Sequence, residues 1–398
     1  MFSSKNDFPQ LEHLKKSGTV YLDSAATSLK HSSIIQSQSG FDTTSVANVH
    51  RGSYKLSGEA TSKYEESRLK AAEYLNCKPE QIVFTKGTTD AVNMVANSVT
   101  AQLTSEDSIM ITEMEHHANL IPWQEAAKKS GAKLLFCSVD KTGDLNLEEI
   151  EKKLKDNNVK FMSLCHISNT LGTVNPIQEI QKLCKKNNTE LFIDGAQAVS
   201  VLRPDLTKLN ADYYAFSAHK LFGPFGVGIL YVKDIDNLHI NQFGGGIIDV
   251  VNFQSTKFLK GPQKMEPGTP NISGIISLSP LFDFLITLDF EKVQEHEKDL
   301  TASATKKLSK LGGFETVGSS ESKINILSFN FESVHPNDLC ELLDEQGLAL
   351  RSGHHCTQPL LKKMGITGCA RASFSIYNTP EDVDKLVQAT SKALEMLR

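Results

Sequence analysis

The chain has 398 residues, of which 39% are hydrophobic and 22% are charged, and its formal net charge is −5 at pH 7. These values are typical of a globular protein with a sizeable core, and the length suits two domains. A slightly acidic chain without a basic block is not expected to have nucleic acid as its main partner.

Neither a signal peptide nor a membrane span is predicted. Residues 1–18 contain no apolar run of signal-peptide length, and the most apolar stretch, residues 273–290, contains Pro280, Asp283 and Asp289. The seven cysteines are never spaced as C-x-x-C, which favours a reducing compartment over a disulfide framework. We therefore expect a cytoplasmic protein without a membrane partner; an organelle lumen, reached after removal of a transit peptide, is the alternative.

Short apolar runs alternate with helical patterns between residues 80 and 235. The runs predicted as strands are residues 81–85, 108–112, 133–139, 160–167, 190–194, 212–217 and 226–232. Among the helical segments between them, Gly131 is suited to end one helix and Pro176 to begin another. Strands that alternate with helices and are apolar on both faces predict an α/β fold with a mostly parallel sheet covered by helices on two sides.

The pattern changes after residue 290. Residues 324–331 and 370–377 are strand-like, and each run leads into a helical pattern. This arrangement predicts a smaller C-terminal α/β domain. We therefore expect a large domain of residues 15–283, and a small domain of residues 284–398 to which residues 1–14 also belong.

Polar side chains collect where the strands of the predicted parallel sheet end. In chain order these residues are Gly87, Thr88, Thr89, His116, His117, Asn169, Asp194, Gln197, Ser217, His219 and Lys220. In open parallel sheets, ligands bind beyond the carboxyl ends of the strands. The sequence therefore predicts one polar site at this edge of the sheet.

Each of these features has an ordinary explanation when it is taken singly. The Gly-Thr-Thr run is more often a plain helix cap than an anion cradle, Asp194 could cap the next helix, and a lone lysine such as Lys220 is usually at the surface. Taken together, they provide an aldehyde-trapping amine, a carboxylate for a pyridine nitrogen and an anion cradle, with the imidazole of His117 for the ring face. This set predicts pyridoxal 5′-phosphate (PLP) as cofactor.

Ten segments in a fixed order cover nearly the whole chain: "YLDSAATS" (21–28), "NVHRGSYKLS" (48–57), "FTKGTTDAVNMVANS" (84–98), "EMEHHANLIPWQ" (113–124), "HISNTLGTVNP" (166–176), "IDGAQAV" (193–199), "FSAHKLFGPFGVGILY" (216–231), "PGTPNISGI" (267–275), "RSGHHCTQPLL" (351–361) and "RASFSIYNTPEDVD" (371–384). With these segments the chain resembles the class V aminotransferase group and, within it, the SufS-like cysteine desulfurases, also called the cysteine desulfurase/selenocysteine lyase family. The resemblance implies the type I fold of PLP-dependent transferases and a homodimer.

The resemblance also implies a role for each matching residue. Four residues are expected to contact the cofactor ring: Lys220 as the covalent link to its aldehyde, Asp194 at the pyridine nitrogen, Gln197 at the phenolic oxygen, and His117 stacked on the ring and assisting proton transfer. The residues expected at the phosphate are Thr88, Thr89, Ser217 and His219, with Thr269 reaching the phosphate of the partner subunit.

The substrate side is implied in the same way. Asn169 and Arg371 are expected to bind the substrate carboxylate, a task that suits the planar fork of an arginine. The residues expected to line the substrate entrance are His50, Arg51 and Arg351.

The activity that the resemblance implies is the removal of sulfur from L-cysteine. Lys220 is expected to take the α-proton, and the thiolate of Cys356 to attack the substrate sulfur, so that L-alanine and a persulfide on Cys356 result. The compact loop around Cys356 resembles the SufS-like type. It implies a SufE- or SufU-like sulfur acceptor protein and iron–sulfur cluster assembly as the pathway.

Two alternatives stay open at this point. One is another PLP enzyme of the same group, such as an aminotransferase, a kynureninase-like hydrolase or a lyase acting on L-selenocysteine. Transamination needs no acceptor thiol, so Cys356 argues for the desulfurase. The other is a metal site at His354, His355 and Cys356, which we do not expect, because adjacent side chains rarely converge on one ion and no C-x-x-C or H-x-x-x-H completes the set.

Overall fold

The structure, a computed structural model, describes residues 7–398. The strands are β1 (Val20–Tyr21), β2 (Ile82–Thr85), β3 (Ser108–Thr112), β4 (Lys133–Cys137), β5 (Val159–Cys165), β6 (Glu190–Asp194), β7 (Tyr213–Ser217), β8 (Gly228–Val232), β9 (Ile248–Val251), β10 (Thr256–Phe258), β11 (Phe314–Thr316), β12 (Ile326–Phe331), β13 (Leu348–Ala349), β14 (Arg351–Gly353) and β15 (Cys369–Ser373). The α-helices are α1 (Gln10–Ser17), α2 (Ser32–Thr44), α3 (Lys55–Leu75), α4 (Thr88–Thr100), α5 (Ile121–Ser130), α6 (Leu147–Asp156), α7 (Ile177–Lys186), α8 (Leu206–Leu209), α9 (Ile272–Ile276), α10 (Leu278–Ile286), α11 (Phe290–Leu308), α12 (Pro336–Glu345), α13 (Gln358–Lys363) and α14 (Pro380–Leu397). The 3₁₀ helices are Pro79–Gln81, His117–Asn119, Ala218–Lys220, Ile235–Asn237, Pro262–Met265 and Ser309–Leu311.

A seven-stranded sheet with the strand order β2-β8-β7-β6-β5-β3-β4 forms the centre of the larger part of the molecule. Strand β8 is antiparallel to both of its neighbours, and every other neighbouring pair is parallel. Strands β2, β3, β5, β6 and β7 therefore run in one direction and end at the same edge of the sheet. This result confirms the predicted mostly parallel α/β sheet.

The sheet separates two apolar cores. Along β3, Met110 packs into one cluster of buried side chains and its neighbours Ile109 and Ile111 pack into another. This alternation follows from the two-residue period of a strand, which directs successive side chains to opposite faces. Because helices cover both faces, each face of the central strands must be apolar, and this explains their unbroken apolar runs.

The helix boundaries follow local signals in the sequence. Gly131 ends α5 in the left-handed conformation with φ 77°, as predicted. Pro176, predicted as the first residue of a helix, is instead the residue before it, because α7 begins at Ile177. At the start of α14, the carboxylate of Asp382 accepts a hydrogen bond from the Thr379 N–H.

A four-stranded antiparallel sheet with the order β11-β12-β15-β14 forms a second layer near the C-terminus. Its apolar face packs with α11, α12 and α14 around a separate core that includes Leu327, Phe329 and Leu386. The short strand β1 pairs in parallel with β13, so the segment after α1 is joined to this part of the molecule. The predicted domain boundary at residues 283/284 falls inside α10 and stays a prediction.

Among residues 7–398, no single helix has the length and apolar character needed to cross a membrane. One pair of helical segments, Ile272–Ile286 and Phe290–Leu311, meets the length and composition criteria only when it is taken together, and it is bent by 85°.

Candidate active site

A cavity of about 440 Å³ opens where the parallel strands end. We call it the sheet-edge cavity. The predicted site residues that line it are Thr88, Thr89, Asn169, Asp194, Gln197, Ser217, His219, Lys220, Arg351, Cys356 and Arg371. They come from distant parts of the sequence. The residues that follow β2, β5, β6 and β7 meet because these strands end at one edge, as expected from the sheet. Arg351, Cys356 and Arg371 reach the cavity from the four-stranded sheet and the loop after β14.

Lys220 ends the 3₁₀ turn that follows β7 and is half-buried in the sheet-edge cavity. Burial lowers the pKa of Lys220 to about 8, since the charged amine is poorly solvated there; Asp194 opposes this change and Arg371 adds to it. A lysine with such a pKa has a substantial neutral fraction near pH 7 and is a competent nucleophile towards an aldehyde.

Asp194 is the last residue of β6 and is buried against the sheet-edge cavity. One of its oxygens, Oδ1, accepts a hydrogen bond from the Ala196 N–H at 2.9 Å. Burial raises the pKa of Asp194, and Lys220 offsets this only in part. A buried carboxylate needs a positive partner, and the protonated nitrogen of a pyridine ring meets that requirement.

One end of the sheet-edge cavity, where the phosphate of the predicted cofactor would lie, is formed where β2 and β8 approach the start of α4 closely. Ser217 Oγ accepts the Thr88 N–H at 2.8 Å and lies 2.9 Å from Thr88 Oγ1. A Cβ added at Gly228 would lie 2.5 Å from the Cα of Gly87, so this approach requires glycine. The hydroxyls and the helix N-terminus form an environment that favours an anion.

His219 has a buried ring nitrogen, Nδ1, for which the described residues provide no hydrogen-bond partner. Burial and then Lys220 lower the pKa of His219 to about 4, so the ring is neutral at pH 7. A buried polar atom without a partner is costly. A bound phosphate group next to this nitrogen would satisfy it.

The structure corrects the prediction for His117. The histidine that lines the sheet-edge cavity is His116, whereas His117 lines only an adjoining surface groove, which also contains His116, Ile121 and Glu125. The reason is the tight turn at His117–Asn119, where consecutive side chains point in different directions. Burial lowers the pKa of His116 to about 3, with Lys220 as the next cause, so its ring is neutral and suited to stack on a cofactor.

Arg371 is buried on β15, and its Nη1 donates to the Asn169 carbonyl at 2.9 Å. Burial lowers the pKa of Arg371 from its usual value. The Asn169 Nδ2 donates in turn to the His355 carbonyl at 2.8 Å, which links this end of the sheet-edge cavity to the loop that bears Cys356.

Asp23 is a residue to which the sequence interpretation assigned no role, although it lies within the "YLDSAATS" segment. Its Oδ1 accepts from Arg371 Nη2 at 3.2 Å, and its Oδ2 accepts from Nε and Nη2 of Arg351 at 3.2 and 3.0 Å. One carboxylate therefore contacts both arginines of the cavity. Only the folded arrangement reveals this, because the three residues are far apart in the sequence.

Cys356 lies on the wall of the sheet-edge cavity and is exposed. His355 and Cys356 both have left-handed backbone conformations, with φ 48° and 58°, which non-glycine residues adopt rarely. The Cys356 carbonyl accepts the His117 N–H at 2.8 Å, and this contact holds the loop over the start of the 3₁₀ turn. The loop thus presents a thiol to the cavity in a defined conformation.

The other six cysteines are not exposed. Burial raises the pKa of each: to about 12 for Cys77, Cys137, Cys184 and Cys340, to about 11 for Cys369, and well above the usual value for Cys165. A buried thiol with a raised pKa is a poor nucleophile. Cys356 is therefore the thiol best placed to react.

The geometry of the loop does not favour a metal site. The ring of His355 is buried and its Nε2 lies 2.9 Å from the Cys369 carbonyl, so the imidazole contacts the backbone of β15. Within residues 7–398, no three His, Cys, Asp or Glu side chains are grouped in a way that could hold a metal ion.

A second cavity of about 580 Å³ contains three predicted residues that do not line the first. We call it the rim cavity; His50, Arg51 and Thr269 line it, and it shares no lining residue with the sheet-edge cavity. Within one chain, therefore, His50 and Arg51 do not line the entrance to the sheet-edge cavity as predicted. The expected roles of His50, Arg51 and Thr269 stay predictions.

A buried ion pair holds the segment that carries Thr269. Arg68 on α3 contacts both carboxylate oxygens of Glu266, at 2.7 and 2.9 Å, and Glu266 also accepts the Phe84 N–H at 2.8 Å. A bidentate pair of this kind fixes geometry as well as charge. Thr269 is thus anchored to α3 and to β2.

The class-V aminotransferase family model matches residues 20–386. The chain belongs to this family.

Three known proteins show where the chain stands within the class-V aminotransferases. It is 40% identical to a probable cysteine desulfurase of Halalkalibacterium halodurans over 396 residues, which cover 98% of this chain and 97% of that protein. The apo structure of a cysteine desulfurase from Thermococcus onnurineus is similar, with a TM-score of 0.93, 35% identity and coverage of 98% and 97%. A structure of the Escherichia coli cysteine desulfurase CsdA, in an S-sulfonic acid form, gives a TM-score of 0.91, 35% identity and 98% coverage of both chains.

Membership of the class-V aminotransferase family implies PLP as cofactor, and the sheet-edge cavity fits it. Four features of the cavity each suit a different part of PLP. They are the amine of Lys220, the buried carboxylate of Asp194, the unpartnered nitrogen of His219 and the hydroxyls near the start of α4. Gln197, whose Nε2 donates to the Ala25 carbonyl at 2.8 Å, also lies on the wall.

Proposed function

We propose that this chain is a PLP-dependent cysteine desulfurase that converts L-cysteine to L-alanine and leaves a persulfide on Cys356. The observation that carries the proposal is the exposure of Cys356 on the same cavity as Lys220 and Asp194. The similarity to proteins named cysteine desulfurases supports it.

PLP, when bound, would stabilise negative charge on the α-carbon of the substrate. The residues that would hold it are Lys220 at the aldehyde, Asp194 at the ring nitrogen, Gln197 at the phenolic oxygen, His116 on the ring face, and Thr88, Thr89, Ser217 and His219 at the phosphate. The chain's own residues supply position, protons and the acceptor thiol.

Arg371 and Asn169 would bind the substrate carboxylate. Arg371 is buried, and its Nε has no partner among the described residues, so a donor remains for a ligand. Arg351, which is half-exposed, would close the same end of the cavity. A fixed carboxylate directs the rest of the substrate towards Lys220 and Cys356.

Lys220 would remove the α-proton once it is released from the cofactor, because its lowered pKa makes it an effective base near neutral pH. The thiolate of Cys356 would then attack the sulfur of the substrate. A sulfur–sulfur bond forms and the carbon–sulfur bond breaks, and the electron pair of the broken bond stays on the β-carbon of the substrate. Uptake of a proton at the β-carbon and return of a proton to the α-carbon then give L-alanine.

We further propose that the chain acts as a homodimer. The hairpin β9–β10 carries exposed apolar side chains, Val250, Val251 and Phe253, and Phe243 nearby is also exposed. Ile248 and Asp249 of the same hairpin line the rim cavity with His50, Arg51 and Thr269. A second subunit that covers this surface would bury the exposed apolar side chains. It would also bring His50, Arg51 and Thr269 of one subunit to the sheet-edge cavity of the other.

The persulfide would pass to a sulfur acceptor protein of the SufE or SufU kind in the cytoplasm, for iron–sulfur cluster assembly. The exposure of Cys356 supports a protein acceptor, because a partner's thiol can reach an exposed sulfur.

The test is the release of L-alanine from L-cysteine with a reductant as sulfur acceptor. We expect activity in the wild type, a loss in Cys356→Ala, and unchanged activity in Cys77→Ala, which removes a half-buried thiol with a raised pKa. Full activity in Cys356→Ala would reject the assignment of the acceptor thiol. The absence of alanine release from PLP-loaded wild type would reject the function.

A further inference from the structure

The carboxylate of Asp23 lies between the two arginines of the sheet-edge cavity. Arg351 and Arg371 are direct cross-strand partners in β14 and β15. Like charges that face each other across an antiparallel pair repel. Asp23 contacts both guanidinium groups at 3.0 to 3.2 Å, so it offsets this repulsion and fixes the two groups relative to each other.

The segment that contains Asp23 is attached to the four-stranded sheet without the Asp23 side chain. Backbone contacts do that: the Leu22 N–H donates to the Ala349 carbonyl, and the Ser373 N–H donates to the Leu22 carbonyl, each at 2.8 Å. The Ala25 N–H donates to Ser373 Oγ at 2.9 Å. The strand position is therefore secured without the carboxylate, which points to a separate purpose for the side chain.

The three side chains together carry one net positive charge. A guanidinium has five N–H donors, and Arg371 uses one for Asp23 and one for the Asn169 carbonyl, while its Nε has no partner among the described residues. Donors thus remain for one more anionic group. A net charge of one unit matches a ligand with a single carboxylate, whereas two uncompensated arginines would favour a dianion.

We propose that Asp23 positions Arg351 and Arg371 and makes this end of the sheet-edge cavity selective for substrates with one carboxylate. The inference rests on the proposed function for the identity of the substrate. The charge arrangement on which it depends is a property of the three side chains and can be tested with ligands that do not react.

The first experiment measures binding of propionate and succinate, a monoanion and a dianion without an amino group, to the PLP-loaded protein by calorimetry. The wild type is expected to prefer propionate. In Asp23→Asn the added net charge should shift the ratio of the two dissociation constants towards succinate by about tenfold. The matched control is Asp384→Asn, which breaks the exposed pair with Lys307 on α11 and should leave the ratio unchanged.

The second experiment separates the effect of charge from damage to the fold. In the double variant Asp23→Asn/Arg351→Gln the net charge returns to one unit, so the preference for propionate should return towards that of the wild type. A loss caused by misfolding would not be rescued by a second substitution. An unchanged ratio in Asp23→Asn, or a ratio that is not restored in the double variant, would overturn the proposal.

The third measurement is the kinetics of L-cysteine turnover. The loss of positioning should raise KM about ten- to a hundredfold and affect kcat less, because the reacting groups are intact. A fall in kcat with an unchanged KM would contradict a role at the carboxylate. If the wild type does not act on L-cysteine, the proposed function fails, whereas the carboxylate-binding ratios still decide the role of Asp23.

Discussion

The sheet-edge cavity and the rim cavity differ in what completes them. The smaller sheet-edge cavity brings together an amine with a lowered pKa, a buried carboxylate, an unpartnered imidazole nitrogen and an exposed thiol. The larger rim cavity is lined by Glu266, whose buried charge is already paired with that of Arg68. The volume of a cavity therefore does not identify the candidate active site. Polar groups without a partner and groups with shifted pKa values do.

The two cavities also differ in their relation to the proposed homodimer. The sheet-edge cavity holds its chemical groups within a single chain. The rim cavity holds His50, Arg51 and Thr269 beside an exposed apolar hairpin, and these residues acquire a proposed role only when a partner covers them. Substitutions in the sheet-edge cavity should therefore lower activity directly, whereas substitutions beside the rim cavity should lower activity by disrupting the proposed dimer.

The largest effect is expected for Lys220→Ala in the sheet-edge cavity. The substitution removes both the link to the cofactor and the base for the α-proton, so turnover of L-cysteine should fall at least about a thousandfold. The purified protein should also lose the visible absorption of bound cofactor. An absorption spectrum and an alanine assay check the two outcomes.

The matched control for this substitution is Lys323→Met. Burial lowers the pKa of Lys323 to about 8 as well, yet its amine donates to the Gly318 carbonyl at 2.7 Å and does not line the sheet-edge cavity. This variant should keep the absorption and the activity. Normal cofactor absorption and turnover in Lys220→Ala would contradict the central role of that residue.

The next largest effect should come from the hairpin beside the rim cavity. In Phe253→Asp a charge replaces a fully exposed apolar side chain, and its burial in a subunit interface would be unfavourable. We expect sedimentation to show monomers and activity to fall at least about three hundredfold. The control Met396→Asp changes another exposed apolar residue, on α14, and should remain dimeric and active. A fully active monomer would show that the rim cavity contributes nothing to the reaction.

A smaller effect should distinguish the two adjacent histidines. His116→Ala removes the imidazole that lines the sheet-edge cavity and should lower kcat about a hundredfold, within the usual range for a group that assists proton transfer. His117→Ala should change kcat by less than about tenfold, because His117 lines only the adjoining groove and not the sheet-edge cavity. The two steady-state measurements check the corrected assignment, and the reverse order of effects would refute it.

The smallest change is expected in the pH dependence of cofactor uptake. A pKa of about 8 leaves about a tenth of the Lys220 amine neutral at pH 7, against less than about a thousandth for an ordinary lysine. The rate at which the apo protein binds PLP covalently should therefore rise with pH and level off above about 8. Stopped-flow absorption checks this, and a rate that still rises steeply between pH 9 and 10 would show that burial does not lower the pKa.

The sequence predicts well the part of the sheet-edge cavity that the seven-stranded sheet provides, because the direction of its strands determines which of their end residues meet. Once the strands before Asp194 and Lys220 are known to be parallel, their ends must lie at one edge. The apolar runs are long and regular, so β3 and β6 have the predicted bounds. Cys356 reaches this cavity from a different sheet, and only the resemblance to a known family indicated it.

Three features could not be predicted for physical reasons. Whether His116 or His117 lines the sheet-edge cavity depends on the direction of their side chains at one short turn. The periodicity of the sequence carries no information on that direction. The contacts of Asp23 depend on the pairing of β14 with β15, far along the chain. The separation of His50 and Arg51 from the sheet-edge cavity depends on the path of the chain between α2 and α3, which brings them to the rim cavity.

The most direct test of the account is mass spectrometry of the purified enzyme after a single turnover of L-cysteine without a reductant. The account predicts one added sulfur atom on the peptide that contains Cys356, in amounts equal to the L-alanine formed, and none in Cys356→Ala. Sulfur added to a different cysteine while Cys356 stays unmodified would contradict it, and so would alanine formed without any persulfide.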